Sequence, residues 1–552
     1  MPGSAGIPFR RTGCRLRRVL MLHSERLQQL LSGLPPGKMP ALLNLFQAGC
    51  PTEVRVAAVA ELLHAGGEQW RPQVGQWIAE LLSVGSLVPN ASKRWRPLVR
   101  DAMAFVASHI STARLAPKVV QQIELPPDTL PEVRLGLVIA KTPGLQKLGQ
   151  VLARSRRISP ALREELQKLE NGIADVTTYE VRGIIEHQLE RCIDAYHVEI
   201  ASDLLSEASV SAIIEFTWLN PSTGRREEGV FKVMKPHVPE CYAEDLSLLQ
   251  QLAQDLASRH QEYHLPSRSV TGTLDEVRLL LEREVDFRRE QATLAEVGRI
   301  YGGGQLRTPK PIPQLCTDTI TAMSVERGVK VTDAFRNDPA GRRRIATQIV
   351  QSLIADPIFS PAESAIFHAD PHAGNLLYNE RARRLIALDW ALTARLSREE
   401  RRQLARLIVM MSFRDEAGVR AALRALSSMS RDSLSPSADV IDKCVHDYFK
   451  SLPHAYSPGA IDAMRLLELV GIEGVRFPGS FVLIRKVIFT LEGVLADLAG
   501  DAIRIDTVVA REFVTRWIRQ FGSLPAPLEM KDYLAMQRSA IFYATGLWAL
   551  AQ

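Results

Sequence analysis

No uninterrupted apolar run in this 552-residue chain approaches the roughly 20 residues that a bilayer-spanning helix needs. The best stretch, Phe481 to Leu498, is interrupted by Arg485, Lys486, Glu492 and Asp497, and the apolar tail from Ala540 to Ala551 is too short to span. Integral membrane insertion is therefore not expected. Cysteine is sparse: Cys14, Cys50, Cys192, Cys241, Cys316 and Cys444 form no CxxC pair, which argues against a zinc site or disulfide framework and for a reducing compartment. Charge of one sign is scarce too. With 68 Lys and Arg against 62 Asp and Glu, the excess of +6 falls well short of a nucleic-acid signature, and no nucleic-acid partner is expected.

What is present is an ordinary globular composition, 46% hydrophobic and 24% charged, with enough apolar material for a large core. Single cores stop growing near roughly 250 to 300 residues, so the length calls for two or three packed units. Residues 1–24 carry Arg10, Arg11, Arg15, Arg17 and Arg18 with no acid before Glu25. That start fits either an organelle transit peptide or an over-extended reading of a chain beginning at Met21. Residues 25–136 read as a helical extension, with apolar-periodic segments such as Val54 to Leu63 and Val74 to Leu82 but no repeat of fixed period. Residues 137–200 continue as helix and contain Lys147-Leu-Gly-Gln150.

The texture then changes. Ile213 to Trp218 and Val230 to Met234 are β-branched and aromatic runs separated by Asn220-Pro-Ser-Thr-Gly224, the chemistry of strand, turn and strand. Leu274, Val277, Leu281, Glu284 and Phe287 recur at steps of three or four, predicting one long amphipathic helix from about Leu274 to Val297. On a continuous helix Glu290 sits about 120° from Glu284, so the two carboxylates face different neighbours. A second β-region near Ile312 to Val325 precedes a mostly helical remainder from Ala334. The expected fold class is α+β and two-lobed: a small β-rich lobe over 201–325, a large helical lobe over 326–552, a cleft between them, and the helical extension in front.

The strongest chemical signal is His368-Ala-Asp-Pro-His-Ala-Gly-Asn375, followed by a polar turn from Asn379 to Arg384 and the apolar run Leu385 to Leu388 ending in Asp389. In phosphoryl transfer, an Asp at the first position orients or deprotonates the acceptor, and the Asn and second Asp hold Mg²⁺ against the phosphates. Asp370 is thus the candidate base, with Asn375 and Asp389 as metal ligands; three oxygen-bearing side chains suit hard octahedral Mg²⁺. Singly, each has a plainer reading as a turn or helix cap. Together, between strand-like flanks, they point to chemistry. Lys232 lies inside the apolar strand Val230 to Met234, where a charge is costly unless partnered. In a kinase fold that lysine meets the α- and β-phosphates and a glutamate on the next long helix, the place of Glu284.

These segments resemble the UbiB-like (AarF-domain) atypical kinase-like family. Lys147-Leu-Gly-Gln150 is similar to its Lys-x-Gly-Gln signature, Glu284-Val-Asp-Phe-Arg-Arg-Glu290 to its Glu-x-Asp-(Phe/Tyr)-x-x-Glu helix, and His368 to Asn375 to its catalytic loop. Lys232 to Pro236 matches its strand lysine followed by a basic residue and proline, and the resemblance spans about residues 137 to 500. It implies a kinase-like fold that binds ATP and Mg²⁺, associates with membranes and supports ubiquinone or other isoprenoid-lipid metabolism. It also implies a regulatory set of Lys147, Gly149, Gln150 and Glu290, in which a helix covers the substrate side and Lys147 meets Glu290. Ser209, Ser211 and Glu326 are the further nucleotide contacts expected. Two departures stand out: the family's alanine-rich nucleotide loop is here Ser206-Glu-Ala-Ser-Val-Ser-Ala212, and Asp389-Trp-Ala391 has alanine where glycine is usual.

The expected function is an UbiB-like ATPase or unorthodox kinase working with quinone-pathway proteins or an isoprenoid lipid, cytoplasmic and peripheral on the inner membrane, or alternatively in the mitochondrial matrix. A small-molecule phosphotransferase of the aminoglycoside or choline kinase type shares the His-x-Asp-x-x-x-x-Asn and Asp-Trp pattern. A pseudokinase scaffold stabilised by ATP is the reading from a different class.

Overall fold

The computed structural model describes residues 50–551 except 84–86, 89, 127, 154–161, 163, 165, 167–175, 265–266, 303, 431–437, 454–455 and 520–525. The basic segment 1–24 and the start of the helical extension lie outside the described residues. In chain order the structure begins with helices α1 (Thr52–Ala65), α2 (Gly67–Leu81), α3 (Arg96–His109), α4 (Thr112–Glu124), α5 (Pro131–Ile139), α6 (Pro143–Ala153) and α7 (Thr178–Ala195). Strands β1 (Glu199–Glu207), β2 (Ser211–Asn220) and β3 (Arg225–Met234) follow, then α8 (His237–Ser258), α9 (Ser267–Glu284) and α10 (Phe287–Tyr301). The chain packs as two compact units. One takes residues up to Ala195 with 199–215 and 232–285; the other takes 196–198, 216–231 and 286–552.

In the first unit the helical extension forms where apolar residues repeat at helical spacing. Leu115, Ala116, Val119 and Val120 make the buried stripe of α4, which packs against α1, while α2 packs against α3. Helix α6, which carries Lys147, packs on both α8 and α9. A buried carboxylate ties it down: Asp245 of α8 accepts from the Gly144 backbone N–H at 2.6 Å and from Arg114 Nη2 of α4 at 2.6 Å. Gly144 suits that approach, because a Cβ there would lie 3.1 Å from the Asp245 Cβ.

The expected hairpin is present, with a turn closed by the Gly224 N–H donating to the Asn220 carbonyl at 2.8 Å and Gly224 in the left-handed region at φ 64°. Phe216 stacks on Phe231 across it at 3.9 Å. Strand β5 (Ile320–Ser324) completes a sheet of order β1-β2-β3-β5. Strand β1 had no counterpart in the sequence reading.

In the second unit, β4 (Leu306–Arg307), β6 (Val329–Lys330), β8 (Leu376–Asn379) and β9 (Arg384–Ala387) form a sheet of order β4-β9-β8-β6. Strand β7 (Ser364–His368) pairs antiparallel with β10 (Thr393–Ser397), placing His368 opposite Thr393. The remainder from Ala334 is therefore not simply helical. These short strands carry the loops that hold Asp370, Asn375 and Asp389, and helices α11 (Pro339–Val350), α12 (Arg398–Ser412), α13 (Glu416–Ser428), α14 (Ala438–Ser451), α15 (Ala460–Ile472), α16 (Gly479–Ala499), α17 (Ile505–Arg519) and α18 (Met530–Ala551) make up most of the rest of this unit. Arg401, fully buried on α12, donates to the carbonyls of Ile358, Ser360 and Ala362 and pins the chain leading into β7. The fold is mixed α+β, as expected. One expectation fails: the single helix from Leu274 to Val297 is two helices, α9 and α10. Asp286 stands between them as the N-cap of α10, its carboxylate accepting from the Arg289 N–H at 3.0 Å. Glu284 ends one helix and Glu290 lies in the first turn of the next, so the 120° relation does not apply.

Candidate functional site

In the first unit, Lys232 is buried on β3, in a strand whose second half is buried throughout. Its direction is inward, against the plainer expectation that alternation turns it to solvent. The neighbouring Lys235 is also buried and ion-pairs with Glu207 at 3.0 Å. Glu284, the last residue of α9, ion-pairs with Lys147 of α6 and accepts from Ser209 Oγ at 3.5 Å. The family resemblance matches Lys147 to Glu290; the structure also sets Lys147 against Glu284, at the end of the helix on which α6 packs. Gly149 is buried on α6, and Gln150 lies on the same helix.

The departing nucleotide-loop sequence makes a tight β1–β2 connection. The Ala208 N–H donates to the Ser211 carbonyl at 2.7 Å, and the Lys235 N–H to the Val210 carbonyl at 3.0 Å. Ser211 opens β2 and is buried. Thus Lys147, Glu284 and Ser209 are brought together, with Ser211 two residues on.

In the second unit, His368 organises both loops. Its Nε2 donates to the Leu388 carbonyl at 2.8 Å, immediately before Asp389, and its Nδ1 accepts the Asp370 N–H at 3.2 Å. Burial pushes the imidazole pKa below its ordinary value, outweighing the upward pull of the Leu388 carbonyl and of Asp370 and Asp389. The neutral tautomer is the one this pattern requires. Edge-on packing against Trp390, with ring centroids 4.7 Å apart, completes its environment.

Asn375 is held by its Nδ2 donating to the Asp370 carbonyl at 3.2 Å, which leaves its amide oxygen as the end suited to a cation. The Leu388 N–H donates to the Asn375 carbonyl at 2.8 Å and joins the two loops again. Asp389 is exposed and sits at φ 51°, a left-handed conformation that Asp tolerates better than most residues; its Oδ1 accepts the Ala391 N–H at 3.2 Å. That Asx-type turn forms with alanine at the position where the family usually has glycine. Two side-chain oxygens on adjacent loops suit Mg²⁺, which takes one or two protein ligands and completes its shell with phosphate and water. Among the described residues no group of three or more His, Cys, Asp or Glu forms a closed metal cage.

Glu290 is buried in the first turn of α10. Glu326 follows β5, with Ser324 Oγ 3.5 Å away, and burial raises its pKa above the usual carboxylate range. Sequence reading missed Lys486. On α16 its Nζ lies 3.2 Å from Asp370 Oδ1, and both side chains are largely buried, 10% and 15% exposed. The available signal was a lysine inside the run Phe481 to Leu498, which was read only as an interruption of a membrane span.

Comparison with known proteins gives a consistent answer. Residues 168–423 match the ABC1 atypical kinase-like domain. The chain is similar to a protein of Haemophilus ducreyi named probable protein kinase UbiB, 25% identical over 435 residues, covering 75% of this chain and 78% of that protein. It is 27% identical over 279 residues to the protein of the same name in Xanthomonas oryzae pv. oryzae, covering 49% of each. An uncharacterised Synechocystis protein is 24% identical over 362 residues, 65% of this chain and 60% of that protein. The chain thus spans less than two thirds of the Synechocystis and Xanthomonas relatives.

Proposed function

Since the chain belongs to the ABC1 atypical kinase-like family through residues 168–423, we propose that it is an UbiB-like ATP-dependent phosphotransferase or ATPase that binds Mg-ATP. The observation that carries this reading is the joined pair of loops in the second unit, where one neutral histidine fixes the backbone of both Asp370 and the residue before Asp389. In this role Asn375 and Asp389 hold Mg²⁺, Asp370 takes the acceptor proton, and Lys232 neutralises phosphate charge. Ser209, Ser211 and Glu326 serve the nucleotide. The kinase name of the bacterial relatives supports the phosphotransferase part of this reading; a place in a quinone or other isoprenoid-lipid pathway and peripheral contact to a membrane complete the proposal. Among the described residues no helix is long and apolar enough to cross a membrane.

A second reading has its own observation. Glu284 is engaged by Lys147, an arrangement that favours a restrained enzyme or a pseudokinase scaffold over a constitutively active kinase. Mg-ATP turnover that disappears in Asp370→Asn would exclude the scaffold.

The site is tested by thermal unfolding. A ligand that binds only the folded state stabilises it by mass action, about 2.7 kcal/mol at a hundredfold excess over Kd. Mg-ATP is expected to raise the Tm of the wild type, and Lys232→Ala or Asp389→Ala to remove most of that shift. An equal shift in both variants would reject the nucleotide site.

A further inference from the structure

The ion pair between Lys486 and Asp370 has no place in the roles assigned so far. Lys486 projects from α16, whose buried face is otherwise built from Phe481, Ile484, Val487, Ile488 and Leu491. An ammonium kept there loses much of its hydration and needs an anion in return. That anion is Asp370, whose Oδ1 is buried and 3.2 Å from Nζ. On the other side His372 Nε2 stands 3.9 Å from Asp370 Oδ2 and is more exposed, so Lys486 is the permanent cation of the pair.

A base in phosphoryl transfer faces an electrostatic conflict. It must be anionic to accept a proton, yet it must sit near a γ-phosphoryl group that is itself anionic. A lysine carrying one positive charge beside the carboxylate relieves that conflict without being consumed. We propose that Lys486 is a positioning residue for Asp370, compensating its charge so that the γ-phosphoryl group and the carboxylate are accommodated together; the inference rests on the Mg-ATP reading above. In the reaction, the acceptor hydroxyl proton passes to Asp370 and the acceptor oxygen bonds to the γ-phosphorus. The bond from that phosphorus to its bridging oxygen breaks and ADP leaves. Lys486 keeps its proton throughout. Because the charge acts at the γ-position, it matters for ATP and little for ADP.

The test compares Mg-ATP and Mg-ADP affinities by calorimetry in the full chain, with thermal scans to confirm folding. Lys486→Met removes the permanent cation beside Asp370 and is expected to weaken Mg-ATP binding at least about tenfold more than Mg-ADP binding. Lys486→Arg restores the preference for ATP. Lys486→Met with Asp370→Asn also restores it, since the negative and the positive charge are removed together, while Asp370→Asn alone raises it above wild type. Should Lys486→Met alone fail to fold, Asp370→Asn and the double variant, neither of which keeps the Asp370 carboxylate, give the same readout. Loss of ATP and ADP affinity in equal proportion in Lys486→Met, or equal ATP preference in Asp370→Asn and the double variant, would assign Lys486 a structural role only and overturn the proposal. A wild type that binds neither nucleotide would overturn the Mg-ATP reading and this inference with it; where the wild type binds both, an unaltered nucleotide preference in Lys486→Met overturns this inference alone.

Discussion

His368 donates from one ring nitrogen and accepts at the other, and only the neutral imidazole can do both. Protonation would put a hydrogen on Nδ1, where the Asp370 N–H already points. Burial works in the same direction by lowering the pKa. The linkage sign follows: an unfolded histidine titrates near 6.5, the folded one lower, so below that pH the unfolded state binds the extra proton. This contribution to stability is fully present above about pH 6.5 and is lost as pH falls toward the folded pKa, at about 1.4 kcal/mol per pH unit while only the unfolded state is protonated. His368→Gln, which keeps a donor toward Leu388, is expected to cost about 1–3 kcal/mol at pH 8 and to flatten the decline between roughly pH 6.5 and 5. Urea titrations across that range decide it. An identical decline in wild type and variant would mean that His368 is not the titrating group. The same residue shows what the sequence could say at this scale. The spacing of Asp370, Asn375 and Asp389 was legible because the loops are close along the chain, whereas the histidine's bond to Leu388 depends on how β7 to β10 pair.

Among elements, α6 and α9 form the contact to which the regulatory expectation attaches. Lys147 and Glu284 are mostly buried, 7% and 20% exposed, and α6 is held at its start by Gly144 and Asp245. If Glu284 serves Lys232 during ATP binding, Lys147 competes for the same carboxylate. Lys147→Ala is then expected to increase autophosphorylation or transfer to artificial acceptors while ATP binding survives. Its stability cost should fall below the about 3–5 kcal/mol of breaking a fully buried pair, since Glu284 keeps some solvent contact. Labelled ATP incubated with wild type, Lys147→Ala and Lys147→Ala/Asp389→Asn reads the effect, and a single variant that gains no phosphate rejects the restraint. The motif lysine was legible in the sequence; the helix end that brings Glu284 to it was not. The apolar stripe runs on from Leu281 to the buried Phe287, so periodicity alone hides the break that Asp286 makes. Strand β1 was hidden for the opposite reason, since its residues are half-buried or exposed and its alternation is weak. The β2–β3 hairpin was visible because its runs are strongly β-branched and aromatic and its turn holds Asn220 and Gly224.

For the molecule as a whole, the proposed isoprenoid-pathway role raises the question of how a chain with no spanning helix among its described residues would meet a membrane. The last two helices of the second unit supply exposed apolar side chains at helical spacing: Val514 and Ile518 on α17, and Met530, Leu534 and Ile541 on α18. Three of the α18 positions fall on one side, because steps of four and seven residues return to nearly the same face. The opposite side is anchored. Asp532 is buried near Arg402 and Arg406 of α12, and Ser539 donates to Asp415 Oδ2 at 2.5 Å. The tail thus packs by one face, as a globular helix would, and leaves the other uncovered among Arg511, Arg519, Lys531 and Arg538, all exposed. Each large side chain that enters an apolar phase contributes about 1.5–3 kcal/mol, and nearby cations add attraction to anionic lipid. The proposed membrane contact therefore predicts that the protein floats with vesicles containing phosphatidylglycerol and less with neutral ones. Leu534→Glu with Ile541→Glu should abolish flotation without changing the Tm, because both positions face solvent in the folded chain. Equal flotation of wild type and variant would place the membrane contact elsewhere, and no flotation of the wild type would reject it.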